Sequence, residues 1–334
     1  MNNSQQVDLV YTWCDSADPV WNAKRMATAK ACGLAVSASS NAVCRFAGYD
    51  ELKYSFRSAG KCVPWVRKVF LVVDDDSSLP AWLRLDHPKL RIVRHSEILP
   101  PEFLPCFCSG TIEHHLARIP DLAERFVYAN DDTMFYRPLK PSFFFARDGW
   151  PHFRFGGQRK PIDAAAKTNY HLNIERADAL AAELAPSEGL RQAQARWPHH
   201  CIDAYRKSDL LDCFAHYREE LLPTFAFPFR SPDKVQRILY AYYALACGHG
   251  HFRYARRWLA TARPWYRRLL QPSRVESLQF YDDGWKNGVE QLEKWKPGLF
   301  CFNDTEVQTA ADHERLQGVY ERLFPAPSSF ERKT

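Results

Sequence analysis

Asn130, Asp131 and Asp132 follow directly on the apolar run Phe126-Val127-Tyr128-Ala129. Such a run reads as a short buried strand. Two adjacent carboxylates at its end repel each other unless a cation or hydrogen-bond donors sit beside them. Mg²⁺ held by one or two carboxylates and by substrate phosphates suits that arrangement. Ligands of open α/β sheets also collect beyond the carboxyl ends of strands. The corner is therefore a candidate metal–diphosphate site, weighed against a plain polar turn. Asp74-Asp75-Asp76 forms a second acidic strand end and competes for the metal, but reads better as a loop or cap. Arg57, on the polar arc of a helical segment, could fork onto a diphosphate or stand as an exposed charge. Asp18 could hold a substrate hydroxyl or cap the helix near Trp21.

These groups need a scaffold. Val7 to Trp13 reads as a first strand ending in the turn Cys14-Asp15-Ser16-Ala17-Asp18-Pro19. Tyr49 to Lys61 has helical spacing, with Leu52, Phe56 and Ala59 on one face and Glu51, Tyr54 and Ser58 on another. Val66 to Val73 and Leu90 to Val93 are further strands, and a helix is expected from Ser109 to Arg118. Strands separated by helices over residues 7–146 imply an α/β fold with a mostly parallel sheet. The second half shows helical patterns near 175–185, 203–221, 233–247 and 312–323.

Composition narrows the function. Hydrophobic residues make up 46% and charged residues 25% of the 334, the profile of a folded globular protein. A formal net charge of +6 suits an anionic substrate or membrane surface but is too weak to argue for nucleic acid, and no nucleic-acid motif is present. Arg253, Arg256, Arg257, Arg263, Arg267 and Arg268, interleaved with Trp258, Trp265 and Tyr266, read as a solvated helical face. The alternative is docking to membrane phospholipid or to a polyanionic acceptor, with peripheral contact to an anionic membrane or a capsule export machinery as a separate partner expectation. The ten cysteines show no CxxC pair and no zinc spacing, so reduced thiols and a cytoplasmic location, peripheral at the inner membrane, are expected. No apolar run is long enough to span a bilayer.

Four ordered blocks resemble the Stealth family of capsule and exopolysaccharide phosphotransferases, which includes the catalytic region of N-acetylglucosamine-1-phosphotransferase. The first is Asp8-Leu-Val-Tyr-Thr-Trp13 with Asp18-Pro19. The second holds Arg45, Glu51 to Ser58, Pro64-Trp65, Val69 to Asp74, His95, Leu104-Pro105, Ser109, Glu113 and Asn130-Asp131-Asp132. The third contains His200, with His199 as the alternative, and ends in Phe229-Arg230-Ser231 with Asp233. The fourth is Phe300-Cys301-Phe302-Asn303-Asp304. Two positions depart from the family's pattern: Ser16 stands where Gly is usual, and Cys108 where Asn is usual.

The resemblance implies a nucleotide-sugar-binding fold, GT-A-like and Rossmann-like. It implies an α/β core over residues 1–150 and a helix-rich portion, 151–334, that completes the same active site. It also implies transfer of hexose-1-phosphate, such as N-acetylhexosamine-1-phosphate, from a UDP-sugar donor to a hydroxyl of an oligo- or polysaccharide acceptor, with release of UMP. On this reading Asp132, Asn303 and Asp304 hold Mg²⁺ or Mn²⁺. Arg57 and Arg230 grip phosphoryl oxygens, and His200 or Asp131 takes the acceptor's proton. Tyr11, Thr12, Trp13 and Asp18 line the nucleotide pocket, with Arg45, Glu51, Ser58, Ser109 and Asn130 as further substrate contacts. The rivals are a metal-dependent glycosyltransferase that releases UDP and a non-catalytic polysaccharide-binding subunit.

Overall fold

The computed structural model describes residues 6–15, 18–34, 50–75, 79–255, 275–280, 286–302 and 310–333. Its centre is a five-stranded sheet in the order β3-β2-β1-β4-β8. The strands are β1 (Val7–Thr12), β2 (Val69–Val73), β3 (Leu90–Arg94), β4 (Arg125–Asn130) and β8 (Asp203–Arg206). The first four run parallel, and β8 pairs antiparallel with β4. Parallel strands covered on both faces carry near-continuous apolar runs rather than alternating ones. That is the pattern of Leu9-Val10-Tyr11 and Phe126-Val127-Tyr128-Ala129, all at 0% exposure.

The pleat sends successive side chains to opposite faces. Leu9, Tyr11, Leu71, Val127 and Ala129 pack on α2 (Glu51–Cys62) through Leu52, Phe56 and Ala59, the face expected from helical spacing. Val10, Phe70, Val72, Phe126 and Tyr128 meet the opposite core, which includes α9 (Ile238–Ala246). Asp8, fully buried in β1, accepts from Arg67 Nε at 2.8 Å, Lys68 N at 3.1 Å and Ala123 N at 2.7 Å. One carboxylate thus ties together the entries to three adjacent strands.

Two smaller sheets flank the first. One has the order β10-β11-β5, from β5 (Thr133–Phe135), β10 (Ser277–Phe280) and β11 (Leu299–Phe302). The other has the order β7-β6-β9, from β6 (His152–Gln158), β7 (Arg196–Pro198) and β9 (His251–Tyr254). The portions on either side of residue 150 are interlocked, because β8 extends the central sheet and β11 pairs with β5.

Two expected helices differ from the sequence reading. The segment expected to be helical from 203 begins as β8, whose Tyr205 ring packs on Phe126 at 5.7 Å, and the helix starts only at Lys207. The helix from Ser109 ends at Glu113 and resumes as a 3₁₀ turn over Leu116–Arg118. His114 lies at the break, where its ring contacts Tyr240 and Val235 and its carbonyl accepts from Tyr240. Among the described residues no helix is long and apolar enough to cross a membrane, and the described cysteines form no disulfide.

Candidate active site

A cleft of ≈ 890 Å³ opens at the carboxyl ends of β1 and β4. Register places Thr12 beside Asn130 at that edge. Tyr128 binds the two strand ends together: its hydroxyl is 2.8 Å from Thr12 Oγ1 and 2.8 Å from Asn130 Oδ1. With its oxygen so engaged, Asn130 keeps its amide N–H₂ for the cleft. The turn after β4 is closed by Thr133 Oγ1, which donates to Asn130 O at 2.7 Å. Asp131 and Asp132 occupy that turn.

Two distant chain segments converge on Asp132. Cys301, paired in register with Thr133, donates its thiol to Asp132 Oδ2 at 3.2 Å. His200, between β7 and β8, places Nε2 3.5 Å from the same oxygen. Arg230 also lines the cleft and donates to Ser109 Oγ at 3.4 Å.

Burial and neighbouring charge divide the two carboxyls. Burial and then the charge of Asp132 push Asp131 up to about 7. Burial also acts upward on Asp132, but the hydrogen bond and charge of His200, then the Cys301 thiol, outweigh it and hold Asp132 below the usual carboxylate range. Burial and the Asp132 charge push the Cys301 thiol well up, so it keeps its proton.

Asp132, His200 and Cys301 each present a potential ligand atom within 4.8 Å of one another. Asp132 Oδ1 is buried and has no hydrogen-bond partner among the described residues. A buried carboxylate oxygen without a donor calls for one, and a hard divalent cation such as Mg²⁺ or Mn²⁺ fits that oxygen. A thiol and an imidazole suit softer ions, and Cys301 here donates to Asp132.

The cleft brings together Thr12, Trp13, Glu51, Ser109, Asn130, Asp131, Asp132, His200 and Arg230. Four expected contacts lie elsewhere. Arg57 does not face the cleft: its guanidinium pairs with Glu331 at 2.9 Å and Glu321 at 3.0 Å and donates to Phe324 O. The pleat turns Tyr11 toward α2, where its hydroxyl meets Ser55 Oγ at 2.9 Å. Ser58 is buried, donating to Ser55 O and accepting from Phe135 N. Asp18 caps α1 (Pro19–Ala31), accepting from Val20 N at 2.9 Å. Arg45, Asn303 and Asp304 lie outside the described residues, as do Ser16 and Arg256 to Arg268 of the basic cluster. Asp74 is an ion-pair partner of Lys24 at 2.7 Å and of His95 at 3.6 Å, in line with the loop or cap reading.

Sequence reasoning missed the charged wall behind the corner. Arg237, 10% exposed, donates to Glu113 Oε1 at 3.0 Å and to Asp203 Oδ2 at 2.8 Å. Asp203 Oδ1 in turn meets His199 Nε2 at 2.7 Å. His199 is thus held in this wall, while His200 faces Asp132. Arg237 is the N-cap residue directly before the apolar helix α9, and nothing in its local pattern announced two partners from distant segments.

Residues 45–153 match the family described as Stealth protein CR2, conserved region 2. The chain is 32% identical over 346 residues to the exopolysaccharide phosphotransferase CpsY of Mycobacterium tuberculosis, an alignment covering 98% of this chain and 58% of that protein. It is 34% identical over 343 residues to the exopolysaccharide phosphotransferase SCO6021 of Streptomyces coelicolor, covering 98% and 57%. The chain therefore spans less than three fifths of the length of these relatives. A solved galactosyltransferase, LgtC in complex with donor and acceptor sugar analogs, superposes with a TM-score of 0.42 at 11% identity, covering 96% of this chain and 97% of that one. A score at that level carries no argument about chemistry. The chain is thus similar to Stealth proteins over their conserved region 2 and, across 98% of its own length, to these exopolysaccharide phosphotransferases.

Proposed function

We propose that this protein transfers a hexose-1-phosphate, with N-acetylhexosamine-1-phosphate as the leading case, from a UDP-sugar to a saccharide hydroxyl in capsule or exopolysaccharide synthesis. The observation that carries the reading is the convergence of Asp131, Asp132, His200 and Arg230 in one cleft at the carboxyl edge of a parallel sheet. The names of the relatives support the same chemistry.

In this reading the acceptor oxygen attacks the phosphorus next to the sugar. A new O–P bond forms, the P–O bond to UMP breaks, and the sugar's anomeric C–O bond stays intact. His200 takes the acceptor's proton on the ring nitrogen turned away from Asp132, and Asp132 orients the imidazole. Arg230, steadied by Ser109, grips the phosphoryl oxygens. Thr12 and Trp13 line the nucleotide side, and the Asn130 amide donates to the substrate. A divalent cation at Asp132 would neutralise diphosphate charge, with Asn303 and Asp304 as its further ligands in this proposal.

The test is to incubate the protein with a panel of UDP- and GDP-sugars, with and without Mg²⁺, and to identify the released nucleotide. UMP is expected, lost in Asp132→Asn and in His200→Ala. Release of UDP would overturn the reading in favour of glycosyl transfer, and no turnover of any donor would leave only saccharide binding.

A further inference from the structure

A second cavity, ≈ 760 Å³, runs along β7 and lies against the candidate cleft. Tyr170, Pro198 and His199 line both spaces, so the two adjoin next to His200, which lines the cleft. Thr12, Trp13 and Asn130 do not line it, which separates it from the nucleotide side.

Its walls are aromatic. The Trp197 ring stacks with Tyr170 at 6.5 Å between centroids and meets His171 edge-on at 5.3 Å. Tyr254 forms another wall, with the Arg196 guanidinium 4.6 Å over its ring. Tyr170 and Tyr254 are each 42% exposed, large rings left facing solvent across one groove. Aromatic faces are electron-rich and apolar, and the C–H face of a pyranose complements them.

The polar groups fit the same ligand. Gln279 lines the groove, and its Nε2 is buried with no acceptor among the described residues. A buried amide donor left open calls for an acceptor, which a sugar hydroxyl supplies. Gln158 adds a second amide. Arg196 donates to Tyr254 Oη at 2.8 Å and has no carboxylate partner among the described residues. None of the described lining residues is acidic, so the groove is not built for a cation. A space of this size, lined by rings with a few converging polar groups, is of the kind that holds a small organic ligand.

We propose that this groove is the acceptor subsite: it holds an oligosaccharide on Trp197, Tyr170 and Tyr254, hydrogen-bonded to Gln279, with its terminal hydroxyl delivered past Pro198 to His200. The word acceptor rests on the function proposed above, while saccharide binding by the groove stands on its own geometry.

The experiment titrates the whole protein with short oligosaccharides released by mild acid from the producing organism's own exopolysaccharide, read by saturation-transfer NMR. UDP is titrated in parallel. Tyr254→Ala and Trp197→Ala are each expected to weaken oligosaccharide binding by about tenfold, the loss of one aromatic contact, while UDP affinity holds. Gln279→Leu is expected to act in the same direction. Oligosaccharide affinity unchanged in Tyr254→Ala and Trp197→Ala would overturn the proposal, as would failure of the unsubstituted protein to bind the oligosaccharides. Should Trp197→Ala fail to fold, the exposed Tyr254 decides alone. Failure of the transfer reaction reads out separately, as absent UMP release by the unsubstituted protein, and does not enter this comparison.

Discussion

Replacing Arg237 by Met keeps the length and removes the charge from the wall behind the catalytic corner. Two carboxylates lose a partner, Glu113 at 3.0 Å and Asp203 at 2.8 Å. Asp203 retains His199 at 2.7 Å, whereas Glu113, 7% exposed, keeps only the neutral Tyr128 hydroxyl at 3.1 Å and is the group left without a counter-charge. Breaking a buried pair from one side typically costs about 3–5 kcal/mol. Proton uptake sets a ceiling, because protonating an ordinary glutamate at pH 7 costs about 1.36 × 2.7, or roughly 3.7 kcal/mol. The same ceiling falls to about 1 kcal/mol at pH 5. Urea unfolding of both proteins across this pH range should therefore show a deficit that shrinks as pH falls. Adding Glu113→Gln to Arg237→Met should recover most of the loss at pH 7, because the amide carries no charge to strand. A deficit independent of pH, or a double variant no more stable than Arg237→Met alone, would refute the reasoning.

Burial holds His114, His115 and His152 down at about 4. Unfolded histidine titrates near 6.5, so the unfolded chain takes up protons first. Stability is fully present above about pH 6.5 and is lost as pH falls toward about 4, by about 2 kcal/mol per histidine at pH 5. His114→Gln should lose correspondingly less between pH 7.5 and 5 in urea unfolding, and an equal loss would contradict the assignment. Arg57→Met should cost roughly 3 kcal/mol by stranding Glu331, 8% exposed, while calorimetry finds UDP affinity intact. A loss of UDP affinity without destabilisation would restore Arg57 as a phosphate ligand. Tyr128→Phe removes the hydroxyl that holds Asn130 and donates to Glu113, and should raise the UDP-sugar KM about fivefold, the equivalent of one hydrogen bond of about 1 kcal/mol. An unchanged KM would detach Asn130 from substrate binding.

The central strands were legible because burial on both faces leaves continuous apolar runs, as in Val69 to Val73. The acidic corner was legible because its three polar residues abut such a run. β8 was not, since Asp203-Ala204-Tyr205-Arg206 is short and runs straight into α7 (Lys207–His216). Arg57 was misplaced for a different reason. Its position on a polar arc is correct, but the partners that cover it, Glu321 and Glu331, lie 264 and 274 positions away. Tyr11 and Ser58 were assigned to the pocket by block membership, and the pleat and the helix face turn both inward. Long-range pairing leaves no local mark, and the Arg237 wall consists of it.

The thiol that steadies Asp132 arrives 169 positions after it in the chain, on a strand that pairs with β5. At ordinary rates of synthesis that interval is roughly 10–30 s. A nascent polypeptide carries the acidic turn long before it owns the strand that braces it. The bracing of Asp132 is thereby withheld until translation has passed Phe302.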